Sequence, residues 1–148
     1  SGSPWQRVNR SKGGARFARV HAQQIRESKR LFAEFERSAG IVLSRGGTVT
    51  FEWPKGCESW SRRDVNSFFD SHPEFQQVEF DGCAVGVIST KDRPIKKTWR
   101  LMTTSQRIVD AFSQHKCTHS PHEHDHAVGS QTAKTAFYPP QMVCDFTK

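Results

Sequence analysis

The sequence predicts an α/β fold: a small mixed, partly parallel sheet flanked by helices. Three observations lead there. Strand-like and helix-periodic segments alternate from Thr48 to His115, the strand-like runs are short, and Gly or Pro punctuates most of the joints. Alternation of this kind is what a sheet covered by helices requires. At 148 residues the chain can bury one core but has no room for a second full domain. The expectation is therefore a single domain over 15–148, preceded by a disordered basic tail over 1–14.

The tail is expected to be disordered because Pro4 to Gly14 carry Arg7, Arg10, Lys12 and paired glycines with little to bury. From Ala15, the residues Phe17, Val20, Ile25, Leu31, Phe32 and Phe35 recur near helical spacing, and Gly40 supplies a stop. Ser44 to Gly47 read as a turn, and Thr48 to Trp53 as a strand ended by Pro54. Ser61 is placed to cap a short helix through His72, with Asp64 in its first turn and Val65, Phe68 and Phe69 facing inward. Gln77 to Phe80 form a second strand, Asp81-Gly82 a turn, and Cys83 to Ile88 a third strand. Thr98 to Thr103 make a fourth, and Ser105 caps a helix through Ile108, Val109 and Phe112 to His115. No repeat is visible.

Charge is unevenly spread. The chain carries +7 overall, and Ser1 to Gly40 hold nine Lys/Arg against three acids. Arg16, Arg19, Arg26, Lys29 and Arg30 in the basic arm are the residues suited to phosphate contacts with DNA or RNA, although charge alone also fits an acidic protein surface or anionic lipid. No apolar run approaches the roughly 20 residues that span a bilayer. The expectation is an intracellular protein, cytoplasmic or nuclear, with no membrane partner.

The densest chemistry lies in Cys117-Thr118-His119-Ser120-Pro121-His122-Glu123-His124-Asp125-His126. Such a run cannot be core, and its soft and borderline donors suit zinc, which takes four nitrogen or sulfur ligands in a tetrahedron. So short a stretch supplies two or three ligands, so a further donor must come from elsewhere. Cys83, directly after the Asp81-Gly82 turn, is the preferred one. The expected set is Cys83, Cys117, His122 and His124, with His119, His126 and Cys57 as substitutes. Four protein ligands make a closed, structural C-terminal zinc loop; three with a water make a catalytic site with Glu123 as base.

Phe51-Glu52-Trp53-Pro54, Trp60, Asp81-Gly82-Cys83, Pro94 to Arg100, Cys117 with His122 and His124, Gly129 and Tyr138-Pro139 occur in an order that resembles an uncharacterised segment of retrotransposon-like polyproteins. More distantly, the same order is similar to the C-terminal half of phage cytosine-methyltransferase-like domains. The resemblance spans about Gly46 to Val143; it implies a Rossmann-like sheet and puts Cys83 among the metal ligands. It does not imply methyl transfer, because Gly46-Gly47 precede the first strand instead of following it and no Pro-Cys turn is present.

These features favour a zinc-stabilised, nucleic-acid-associated module of a mobile-element polyprotein. One alternative is an enzyme, either a degenerate methyltransferase or a metal-dependent nuclease using Glu52, Glu79 and Asp81 near Lys96 and Lys97. Another is an assembly module, such as a homo-oligomer, in which the amphipathic helix packs on a further chain. Trp53, Trp60, Trp99, Phe137 and Tyr138 can stack on unpaired bases, but Trp53 and Trp99 are expected in the core.

Overall fold

The computed structural model describes residues 14–125 and 137–147. The basic tail and His126 and Gly129 therefore lie outside the described residues, apart from Gly14. The described residues form two compact units, one built on residues 50–55, 76–125 and 137–147, the other on 14–49 and 56–75.

In the second of these, helix α1 (Ala15–Ser44) packs on helix α2 (Arg63–Asp70). Phe68 is the hub: its ring lies 6.1 Å from Phe32, 5.4 Å from Phe35, 5.2 Å from Phe69 and 5.9 Å from Phe75. Offset and edge contacts at these separations suit the ring quadrupoles. Arg62 is buried beside them, 5.4 Å from the centre of the Phe32 ring, and donates to Asp64 and to Ser28 Oγ. A buried guanidinium is tolerated only when paired in this way. Helix α1 runs through Gly40, which the sequence offers as a stop; buried Ala39 beside it outweighs the cost of about 1 kcal/mol for a helical glycine. The end comes at Gly46, whose positive φ of 73° lets its N–H and that of Gly47 reach the carbonyls of Leu43 and Val42.

The other unit is a three-stranded sheet in the order β1-β3-β2, from β1 (Thr50–Pro54), β2 (Gln76–Asp81) and β3 (Thr98–Thr103). Both pairings are antiparallel, with Trp53 opposite Arg100 and Phe80 opposite Trp99. The expected partly parallel sheet is thus corrected. β1 and β2 do run the same way, but β3 is inserted between them, so the helix-bearing connection joins strands that are not neighbours. The expected strand Cys83 to Ile88 is instead a 3₁₀ turn over Gly82–Val85, closed by Gly86 at φ 89°. Ile88 retains only an isolated bridge to Pro94.

Helix α3 (Gln106–Ser113) and helix α4 (Pro140–Thr147) complete this unit. Val78, Phe80, Trp99 and Leu101 alternate onto one sheet face and meet Ile95, Phe112 and Met142 there. The ring of Phe112 lies 4.6 Å from Phe80 and 4.8 Å from Phe146, tying both helices to the sheet. Helix α4 had no sequence signal beyond Pro140 at its first position. His115 Nε2 and Asp145, 2.8 Å apart, join the end of α3 to α4. Trp99 is buried as expected; Trp53 is only half-buried, with its ring 4.6 Å from Phe51. Among the described residues, no helix is long and apolar enough to cross a membrane.

Phe112 is fully buried. Phe112→Ala is expected to cost about 3–5 kcal/mol, read as a lowered urea midpoint with an unchanged slope.

Candidate metal centre

Gly82 positions the first donor. A Cβ there would lie 2.8 Å from Cζ3 of Trp99 and 2.9 Å from the Lys97 carbonyl, so only glycine lets the chain pass this close to β3. Its N–H donates to that same carbonyl at 2.8 Å, and the next residue, Cys83, is only 9 % exposed. Asp81 then fixes the second donor. Its carboxylate accepts from the backbone N–H of Cys117 at 3.0 Å and from the Thr98 hydroxyl at 2.6 Å. Burial opposes the charge of Asp81, but these two donors, with Lys96 and Lys116 nearby, prevail and hold its pKa below the ordinary value.

The remaining donors flank a 3₁₀ turn over Pro121–Glu123. Ser120 and Glu123 form a capping box at its start, the Ser120 N–H reaching Glu123 Oε2 at 2.6 Å. Arg93 grips the turn by donating to the carbonyls of His122 and Glu123, and the Asp125 N–H donates to the Pro94 carbonyl. With the turn so held, the rings before and after it meet, those of His119 and His124 standing 5.5 Å apart.

Cys83, Cys117, His119 and His124 form a group able to hold a metal ion, their donor atoms all within 4.8 Å of one another. Cys117 Sγ lies 3.2 Å from His124 Nε2 and 3.7 Å from His119 Nδ1. Zinc bound at its usual distances to sulfur and nitrogen sets donors roughly 3.3–3.8 Å apart at the tetrahedral angle, so these pairs are already near bound spacing. The Cys83 thiol is pushed up to about 12, first by burial and then by the Cys117 sulfur and Asp81. A divalent cation supplies the positive charge that reverses this penalty.

Of the expected ligands, Cys83, Cys117 and His124 are brought together. His122 is not among them: it sits exposed in the 3₁₀ turn, and the substitute His119 takes its place. The donors alone could not reveal this, because the choice between His119 and His122 depends on a turn whose carbonyls are held by Arg93, nearly thirty residues away in sequence. Cys57 is buried in the other unit, and Cys144 is exposed on α4.

Glu52, Glu79 and Asp81 do not converge. Glu52 faces Leu101 on the core side of the sheet, whereas Glu79 and Asp81 lie with Arg100 and Thr98 on the other side. Glu79 is engaged by Arg100 at 2.8 Å and Lys55 at 2.6 Å. Glu52 accepts from the Tyr138 hydroxyl at 2.7 Å. Burial raises the Glu52 pKa against the opposing influence of Tyr138 and Lys97. Lys97 itself stands 4.7 Å over the Trp99 ring. The five aromatics considered for base stacking mostly find rings within the protein: Trp60 has Phe69, Trp99 has Phe80 and Tyr138 has Phe146. Phe137 is 79 % exposed.

Arg16, Arg19, Arg26, Lys29 and Arg30 are all exposed on α1. At 100° per residue, Lys29 sits about a quarter turn from the other four. Comparison with family models, with curated proteins and with solved structures gives no match.

Two outcomes test this geometry. Gly82→Ala, by forcing the chain before Cys83 away from Trp99 and the Lys97 carbonyl, is expected to lower metal affinity at least tenfold in competition with a chromophoric chelator. Glu52 has a raised folded-state pKa, so its contribution to stability is full below its unfolded value and is lost as pH rises through the folded one. Glu52→Gln is therefore expected to gain stability relative to wild type on going from pH 4 to pH 7 in urea titrations.

Proposed function

We propose that this chain is a zinc-bearing module that associates with nucleic acid, the zinc being structural. The supporting observation is the convergence of two thiols and two imidazoles, from positions 83, 117, 119 and 124, within 4.8 Å. Two sulfur and two nitrogen donors favour zinc over hard cations, and a full complement of protein ligands leaves no coordination position for a reacting water. Zinc would fasten the 117–124 loop to Cys83 beside the sheet. The exposed arginines of α1 support sequence-independent contact with phosphates. The resemblance to retrotransposon-like polyproteins fits a module that travels with nucleic acid. The separation of Glu52 from Glu79 and Asp81 onto opposite sheet faces disfavours a two-carboxylate nuclease.

Elemental analysis of purified protein is expected to give one zinc per chain. Cys117→Ser and His119→Gln are expected to reduce it, and His122→Gln to leave it unchanged. Cobalt substitution should give the ligand-field bands of tetrahedral sulfur and nitrogen coordination. Removing zinc present at 1,000 times its dissociation constant should cost about 4 kcal/mol, or roughly 10 °C in Tm. Protein free of any metal, with Tm indifferent to chelator, would refute the metal reading.

A further inference from the structure

We propose that the outer face of α1 is a docking rail for the phosphate backbone of a nucleic-acid duplex; this deepens the nucleic-acid reading above and rests on it. Positions 16, 19, 23, 26, 30, 33 and 37 follow one another at alternating steps of three and four, and they hold Arg16, Arg19, Gln23, Arg26, Arg30, Ala33 and Arg37, all exposed. Such spacing confines them to an arc of about 100°, and the rail from Arg16 to Arg37 is about 32 Å long. The arc lies almost diametrically opposite the face carrying Phe17, His21, Ile25, Phe32 and Ala39, which is buried or half-buried.

The rail is strongest toward its N-terminal end. Helix α1 has no acid before Glu27, and Arg16, Arg19 and Arg26 make no ion pair with any described residue. Arg30 and Arg37 share their charge with Glu27 and Glu34, each three residues earlier.

Three features select a duplex. Among the described residues no aromatic side chain lies on the rail, and most of the rings elsewhere are engaged with one another, so the rail itself offers no stacking for unpaired bases. A rigid helix fixes the cations in a line. A flexible single strand would lose conformational freedom to follow that line, whereas a duplex is already stiff on this scale. A duplex also carries about one negative charge per 1.7 Å of axis, and its helical turn of roughly 34 Å matches the rail. Lipid is a poorer occupant, because an interfacial helix must insert its apolar face, and here Phe32 and Phe35 are packed against Phe68.

The test uses the full, zinc-loaded chain. Fluorescence anisotropy compares a 20-base-pair DNA duplex, the same duplex as RNA, either strand alone, and polyglutamate, over a series of salt concentrations. The expected result is binding to a duplex at least tenfold tighter than to the single strand or polyglutamate. The combined variant Arg16→Gln, Arg19→Gln, Arg26→Gln should lower the slope of log affinity against log salt by about 3, with circular dichroism and zinc content unchanged. Losing the same charge off the rail, through Arg63→Gln, Lys91→Gln, Arg107→Gln, should lower it by less than half as much. The DNA and RNA arms identify which duplex is preferred. Single strand bound as tightly as duplex, or equal losses in the two triple variants, would overturn the duplex assignment while leaving nucleic-acid association standing. Failure to bind any nucleic acid would overturn both, as would preference for polyglutamate.

Discussion

The contact between Gly82 and Trp99 is the constraint on which the unit with the candidate metal centre depends. Trp99 is buried on the central strand, stacked on Phe80 across the β2 pairing. The chain leaving β2 must cross this indole at a distance that no side chain allows, and it is held there by the bond from the Gly82 N–H to Lys97. Asp81 immediately before and Cys83 immediately after are thereby fixed relative to β3. One holds the backbone of Cys117 and the other contributes a thiol. A single close approach thus orients both the ligand and the residue that positions its partner.

The loop beyond α3 has little apolar surface of its own to order it, and its ordering comes from polar devices. The capping box at Ser120, the grip of Arg93 on two carbonyls, and the Asp81 bond to Cys117 each satisfy backbone groups that a loop would otherwise leave to solvent. Each contributes modestly, since exchange with water offsets most of a hydrogen bond. Together they bring the donors near their bound spacing, so less ordering remains to be done when an ion binds. The cost of that arrangement is visible at Cys83, whose thiol resists ionisation next to a second sulfur and Asp81.

Much of this was legible in the chain itself, and the failures have physical causes. β3 matches its sequence expectation from Thr98 to Thr103, because Trp99 and Leu101 alternate with Thr98 and Arg100. The segment after Gly82 reads as a strand because Cys83, Val85 and Val87 also alternate; all three are buried, but over a 3₁₀ turn and a loop. The sheet direction escaped because a strand, helix, strand order does not disclose a later strand inserted between. The donor types and the participation of Cys83 could be reasoned from composition and turn position. The selection of His119 could not, because it rests on Arg93. On α1 the sequence pointed to five cations, yet the three-and-four spacing that excludes Lys29 and adds Arg37 becomes meaningful only once the buried face is known.

Structural and catalytic zinc differ in what surrounds the ion as much as in ligand number. A catalytic ion needs an open coordination position and a base that reaches the water held there. Glu123, beside His124 in sequence, is the base the catalytic reading would use, but its carboxylate is bound to the Ser120 N–H as part of the capping box. That bond, aided by His119 and His122, keeps its pKa low and so weakens it as a base. Two thiolates would further quench the Lewis acidity of the ion by donating charge to it. The residues around the site thus spend their hydrogen-bonding capacity on shaping the loop, which is the arrangement expected where the ion's work is to hold the chain in place.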